Sequence, residues 1–158
     1  MPEADGVHGL LTARLRLEHL RPHHAGAVSD YLRRNDAHFA PWDPPRPEGL
    51  YTAAYWRRQA TVAQREHRAG RTVRWVLLPG ADAGTEGGDA PATNRGRVIG
   101  RVNLTGIERG PFRNGRLGYQ IDAGHEGQGL MREALEAVIA HAFGPLGLHR
   151  LEANYRPE

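Results

Sequence analysis

Neither cysteine nor lysine occurs anywhere in the 158 residues. Without cysteine there is no disulfide framework, no thiolate metal site and no cysteine nucleophile. Without lysine a Gly-x-x-x-x-Gly-Lys-Ser/Thr phosphate loop is excluded. No apolar run approaches the roughly 18 residues of a membrane-spanning helix, so no membrane contact is expected. The first residues, Met1-Pro2-Glu3-Ala4-Asp5, are acidic and lack the basic-then-apolar order of a secretory signal. The remaining composition, 39% hydrophobic and 25% charged, fits one soluble domain with a single core and a cytoplasmic location. The formal charge of +3 comes entirely from arginine on the basic side. Arginine pairs well with phosphate, but the positions are scattered and read first as a solvated surface.

The chain is organised around residues 117–143. Leu117, Tyr119 and Ile121 alternate with Gly118, Gln120 and Asp122, the period of a strand. Gly124, Gly127 and Gly129 make a tight loop. The period then becomes about 3.6 residues, with Met131, Leu135, Val138 and Ala142 on one stripe, widened by Ala134 and Ile139. A strand, a glycine-rich loop and a helix in that order place unpaired helix N–H groups and the positive end of the helix dipole beside a loop that a bulky anion can approach. A turn built for steric reasons alone gives the same pattern. The loop holds no Gly-x-Gly-x-x-Gly, which argues against a dinucleotide fold.

Around this unit the reading is as follows. Residues 1–9 form a flexible tail. Residues 11–17 alternate as one half-buried strand, and Arg21-Pro22 opens a helix that stops near Asn35. His23 and His24, being adjacent, diverge to the surface and are not metal ligands. Residues 39–50 contain Pro41, Pro44, Pro45 and Pro47 and must be a rigid loop. Trp42 in that loop is either a buried anchor or part of a recognition surface. Thr52 caps a helix running to Arg68, with Gly70 after its end. Residues 72–78 and 97–107 are strands joined by a long flexible hairpin loop, 79–96, and Gly100 marks a bulge. A last strand covers 148–155. The order β-α-α-β-β-β-α-β describes an α/β (α+β) domain over 10–158 with a mixed central sheet.

The wording Glu126-Gly127-Gln128-Gly129-Leu130-Met131-Arg132-Glu133-Ala134-Leu135 resembles the coenzyme A pyrophosphate loop of the GCN5-related N-acetyltransferase (GNAT) superfamily, Gln/Arg-x-x-Gly-x-Gly/Ala. Glu126 replaces the usual Gln/Arg and Met131 the last small residue. The Pro-Trp-Asp-Pro segment at 41–44 and residues 148–158 resemble the branch that acetylates ribosomal-protein N-termini, in particular the S5-alanine type. In that family a further helix and two strands follow, so the fold is expected to lack its C-terminal part.

The resemblance implies transfer of an acetyl group from acetyl-CoA to an amine by direct attack. The acceptor would be the N-terminal alanine of a ribosomal protein, or alternatively a small amine or antibiotic. A non-catalytic module that binds the coenzyme or the ribosome is the other reading. It places the pantetheine arm along Tyr119, Gln120, Ile121 and Asp122, with an N–H near Ile121 facing the thioester oxygen. Glu126, Gly127, Gln128, Gly129, Leu130, Met131 and Arg132 would cradle the pyrophosphate. Candidate bases are Glu152, Glu108 and Asp43, with Asn154 orienting the acceptor or a water. Trp42, Asp43 and Asn103 would bind the acceptor. No metal is expected. Ribosome contact and a homodimer are both compatible with the chain, and the oligomeric state is open.

Overall fold

The computed structural model describes residues 9–80, 96–155 and 157. Six strands form one sheet in sequence order: β1 (Gly9–Leu11), β2 (Leu15–His19), β3 (Val73–Pro79), β4 (Gly100–Thr105), β5 (Asn114–Ile121) and β6 (Arg150–Ala153). Neighbours are antiparallel except β5 and β6, which run parallel and are connected through a helix, α4 (Leu130–Phe143). Before β3 come α1 (Ala25–Arg34), the single turn α2 (Asp36–Phe39) and α3 (Ala53–Arg68).

Helices cover both faces. On β3, Val73, Trp75 and Leu77 point to one core while Val76 and Leu78 point to the other, which is why this strand reads as a nearly unbroken apolar run. The first core packs β2, β3 and β4 against Leu130, Ala134, Val138 and Ala142 of α4. The second packs Val76, Leu78 and Val98 against Val28, Tyr31 and Leu32 of α1 and Trp56, Ala60 and Ala63 of α3. Thr52 caps α3 by accepting the Tyr55 N–H, and Gly70 follows the helix with φ +70°.

Several expectations need correction. The strand expected over 11–17 is two strands, β1 and β2, in antiparallel register. The reason is local: the Thr12 hydroxyl accepts the Leu15 N–H and turns the chain. The apolar stripe of α4 keeps Ala134, Val138 and Ala142 but takes Leu130 in place of Met131, Leu135 and Ile139 among its fully buried members. Leu130, Ala134, Val138 and Ala142 are buried, whereas Met131 and Leu135 are only partly so and Ile139 is exposed. Putting alanines inward lets the helix axis approach the sheet closely. Gly100 does mark a bulge: it is the register partner of Leu77, yet the Ile99 N–H also bonds the Leu77 carbonyl oxygen (2.9 Å), and Ile99 joins the same core as Val102 and Leu104; a Cβ at Gly100 would stand 3.0 Å from the Gln120 carbonyl oxygen and 3.1 Å from Leu77. His24 is buried, not at the surface, and the rings of His23 and His24 stack with centroids 4.0 Å apart. The expected tail, apart from Gly9, and residues 81–95 of the expected hairpin loop lie outside the described residues.

Candidate active site

The parallel pairing of β5 with β6 ends at Leu117 and Ala153, but β5 runs on to Ile121, still paired with Gly100 of β4. Residues 118–121 therefore carry a strand on one side only, among the described residues. A Cβ added at Gly118 would touch nothing within 4 Å, and Tyr119 is half exposed. An open strand edge offers alternating N–H and C=O groups to an extended amide-bearing ligand.

The loop after β5 ends at α4 with Gly127 at φ +73° and Gly129 at φ +76°. Both are left-handed, a conformation that costs other residues about 1–2 kcal/mol. Gly129 is the N-cap, so the first N–H groups of α4 have no partner within the helix. They open onto a concavity of about 380 Å³ lined by Ile121, His125, the loop, and Met131 and Arg132. This donor set with a helix dipole behind it suits a diphosphate.

Three side chains hold the loop, and none was singled out from sequence in that role. Glu133 Oε1 accepts the Arg14 N–H (2.7 Å) and the Thr12 hydroxyl (2.5 Å), while Oε2 accepts Arg14 Nε (2.8 Å). Arg14 Nη1 also donates to the Gln128 carbonyl oxygen (2.9 Å), and its Nη2 lies 3.6 Å from where a Gly129 Cβ would be. Burial would raise the Glu133 carboxyl, but the Thr12 and Arg14 hydrogen bonds outweigh it and hold it below the ordinary range. Glu126, which stands where the family has Gln or Arg, lines the concavity and meets His38 Nε2 of α2 at 2.8 Å. Arg132 is exposed and folds onto Glu136 at 3.0 Å. Gln128 Nε2 donates to the Gly124 carbonyl oxygen at 3.3 Å.

Below the loop sits a buried knot. Asp122 accepts from Asn35 Nδ2 (2.7 Å) and Arg34 Nε (3.2 Å), and its second oxygen meets His125 Nδ1 (2.7 Å). Asn35 Oδ1 in turn accepts the Ala123 N–H (2.9 Å). Burial pushes the Asp122 carboxyl up, but these partners prevail and hold it below the ordinary carboxylate range. The side chain of Asp122 is thus committed to joining α1 to the end of β5. From sequence, Asn35 was legible only as a helix stop.

The face of β4 and β5 opposite α4 carries polar groups. Arg101 opposes Gln120, and Asn103 opposes Gly118. Gln120 Oε1 receives Arg101 Nε (3.1 Å) and Nη2 (2.7 Å) and the Tyr31 hydroxyl (3.4 Å). The Arg101 guanidinium lies 5.1 Å from the centroid of the Trp56 ring. Burial raises the Asp43 carboxyl above its ordinary value, and the Arg101 charge opposes this. Trp42 is 57% exposed, so it is not the loop's anchor; Trp56 is buried instead, its Nε1 donating to the Leu50 carbonyl oxygen at 2.8 Å. Asn154 follows directly after β6, where the two strands part. Glu152 stands opposite Arg116, one pair before that point, and bonds Arg150 at 3.1 Å. Glu108 follows β4 at the far end from the loop. Five residues of strand, about 17 Å, separate it from the Gly100–Ile121 pair, so the structure does not bring it to the site.

Comparison with known proteins decides the family. Residues 14–158 match the model of the acetyltransferase (GNAT) domain. The chain belongs to the GNAT acetyltransferases. It is 28% identical over 148 residues to the ribosomal protein uS5-alanine N-acetyltransferase of Escherichia coli K12, an overlap of 94% of this chain and 70% of that protein. The crystal structure of the ribosomal-protein-S5-alanine acetyltransferase from Vibrio fischeri superposes with a TM-score of 0.82 at 27% identity, over 95% of this chain and 75% of that one. RimJ of Mycobacterium smegmatis, solved in complex with CoA-disulfide, has a TM-score of 0.76 at 24% identity, over 91% and 63% of the two chains. The chain is a GNAT acetyltransferase, and no helix among its described residues is long and apolar enough to cross a membrane.

A second cavity, about 830 Å³, lies at the other edge of the GNAT sheet between β1, β2 and residues 21–24. Glu18, His23 and His24 converge there with ligand-type atoms within 4.8 Å. The hydrogen bonds argue against a metal. His24 Nδ1 accepts the Arg21 N–H (3.0 Å), so the ring proton sits on Nε2 and points at Glu18 (2.8 Å). Coordination through Nε2 would require an imidazolate, and Glu18 is already paired with Arg16 at 2.9 Å. The larger cavity does not adjoin the left-handed glycines at the head of α4, so the smaller one is the chemical candidate.

Proposed function

We propose that this chain transfers the acetyl group of acetyl-CoA to the amine of a protein N-terminus, with the alanine of a ribosomal protein as the acceptor. The observation that carries this reading is the open edge of β5 at residues 118–121 leading directly into the left-handed Gly127 and Gly129 at the head of α4. The pantetheine amides pair with that edge. The N–H groups of Leu130, Met131 and Arg132, with the Arg14 and Arg132 side chains, hold the diphosphate. The coenzyme supplies the acetyl group as a thioester, and a main-chain N–H near Ile121 stabilises negative charge on its oxygen.

The acceptor enters over the polar face of β4 and β5, beneath the loop carrying Trp42 and Asp43. An N-terminal amine has a pKa near 8, so the base has a modest task. Asp43 suits it best, because burial raises its proton affinity and its charge acts on Tyr31 and Arg101. It takes the proton that the amine loses as the C–N bond forms and the C–S bond breaks. Glu152 is engaged by Arg150, and Asn154 orients the acceptor or a water where the strands part. The relatives named for ribosomal proteins, together with the exposed Trp42, favour a peptide acceptor. The test is thiol release with an Ala-starting peptide. Asp43→Asn is expected to lower kcat by roughly 10²–10⁴-fold with coenzyme affinity unchanged. An undiminished kcat would remove Asp43 from the reaction, and absence of turnover with every peptide and small amine would remove the function.

A further inference from the structure

The acceptor-side face is rich in donors and poor in acceptors. An amide oxygen has two lone pairs, yet Gln120 Oε1 meets three donors, two from Arg101 and one from Tyr31. Arg101 makes no ion pair with any carboxylate among the described residues, unlike Arg14, Arg34 and Arg46. Its partners are a neutral amide, the Tyr31 hydroxyl and the face of the Trp56 ring, none of them charged. The Asp43 carboxylate acts on it electrostatically without closing to ion-pair distance. A guanidinium taken largely out of water needs negative charge to offset its desolvation. An indole face, a phenol hydroxyl and one shared amide oxygen offset only part of it.

We propose that Arg101 is the specificity-determining residue of the acceptor site and that it selects acceptors carrying a carboxylate close to the reacting amine. This rests on the acceptor lying against β4 and β5, as proposed above. Asp43 then attends the amine and Arg101 the carboxylate, so that opposite charges read the two ends of a dipolar group. Arginine matches this task because its planar fork binds a carboxylate through two parallel hydrogen bonds. The carboxylate can be the side chain of the residue following the N-terminal one in a peptide, or the α-carboxylate of a free amino acid.

The experiment uses the full chain and two matched pairs of acceptors: peptides beginning Ala-Glu and Ala-Gln, and alanine with alaninamide. Thiol release gives kcat and KM, and calorimetric titration in the presence of CoA gives binding without turnover. A charge-assisted bidentate pair predicts KM and Kd lower by roughly ten- to a hundredfold for the carboxylate member of one pair, with kcat little changed. Whichever pair shows it identifies the source of the carboxylate. Arg101→Met should erase the preference and Arg101→Lys should keep part of it. Equal constants within both pairs for the unmodified chain overturn the proposal whether or not the variants fold, and so does a preference that persists in Arg101→Met. Binding preference without turnover would sustain the role of Arg101 and refute acetyl transfer. Turnover without preference would do the reverse.

Discussion

Asn35→Ala should destabilise the chain by far more than the loss of one surface amide. Asn35 is 2% exposed and makes three hydrogen bonds: Nδ2 to the Tyr31 carbonyl oxygen (2.9 Å), Nδ2 to Asp122 (2.7 Å), and Oδ1 from the Ala123 N–H (2.9 Å). Alanine leaves the Ala123 N–H without its acceptor and deprives a buried carboxylate of one of its two closest partners. A buried polar group left unsatisfied costs about 1–3 kcal/mol, more where charge is involved. Arg34 and His125 still hold Asp122, so the total should be roughly 3–5 kcal/mol. Urea unfolding measures this directly. With a slope of about 2–3 kcal/mol/M, the midpoint should fall by roughly 1–2 M. Asn35→Asp is the sharper variant, since it keeps the acceptor for Ala123 but sets a second carboxylate against Asp122, and it should be at least as damaging at neutral pH and partly rescued in acid. A loss below about 1 kcal/mol for Asn35→Ala would mean that water replaces the amide and that the knot does not couple α1 to β5.

The remaining predictions concern the coenzyme loop and pH. Gly129→Val forces a β-branched residue to φ +76° and should abolish CoA binding by calorimetry; Gly110→Ala, where a Cβ meets nothing and φ is not positive, should leave it unchanged. Glu126→Gln should change CoA affinity by less than about twofold, because the carboxylate is turned to His38 and exposed charges at that distance are screened; a tenfold gain would place the acid against the diphosphate. Acid unfolding should come in two stages. His24, His67 and His141 have depressed folded values, first through burial, so the unfolded chain protonates first and stability declines as pH drops below about 6.5. Asp122 and Glu133 are also depressed when folded, so their contribution is present above the ordinary carboxylate range near 4 and is lost as pH falls through the folded values. Urea midpoints that stay flat from pH 7 to 4 would contradict the histidine part.

What the sequence made legible is what repeats or what backbone demands. Alternation along β5 and the glycines at 127 and 129 reported the strand and loop, because a left-handed turn before a helix leaves few residue choices. Thr52 and Gly70 marked α3 for the same kind of reason. Contacts across long separations were not legible. Glu133 on α4 reads as an acid complementing a helix dipole; nothing local says that Thr12 and Arg14, some 120 residues earlier, close on it. His38 and Glu126, or Asn35 and Asp122, are likewise ordinary polar residues until the sheet brings them together. On α4 the periodicity finds Ala134, Val138 and Ala142 but ranks Met131 and Leu135 too deep, because they outrank alanine in hydropathy while close packing against the sheet selects the smaller side chains.

The two faces of the sheet divide the work, and the division follows from where the helices end. α4 spans the face holding Trp75, Val102, Leu104 and Leu117, and its N-terminus stops beside Ile121. On the opposite face α1 and α3 bury Val76, Leu78 and Val98, but at β4 and β5 the side chains become Arg101, Asn103 and Gln120. Arg101 and Gln120 bond each other and reach Tyr31 and Trp56, but apolar residues there would extend the second core at about 25 cal/mol per Å². Polar residues that forgo that burial beside an open strand edge are the ones a ligand must satisfy. In the reaction proposed above, the amine and the thioester would meet at that edge, with the coenzyme's phosphates on the α4 side and the acceptor on the other. Each substrate would then be bound by groups the other does not touch. Loop variants such as Gly129→Val should accordingly act on coenzyme affinity alone, and Asp43 and Arg101 variants on the acceptor alone.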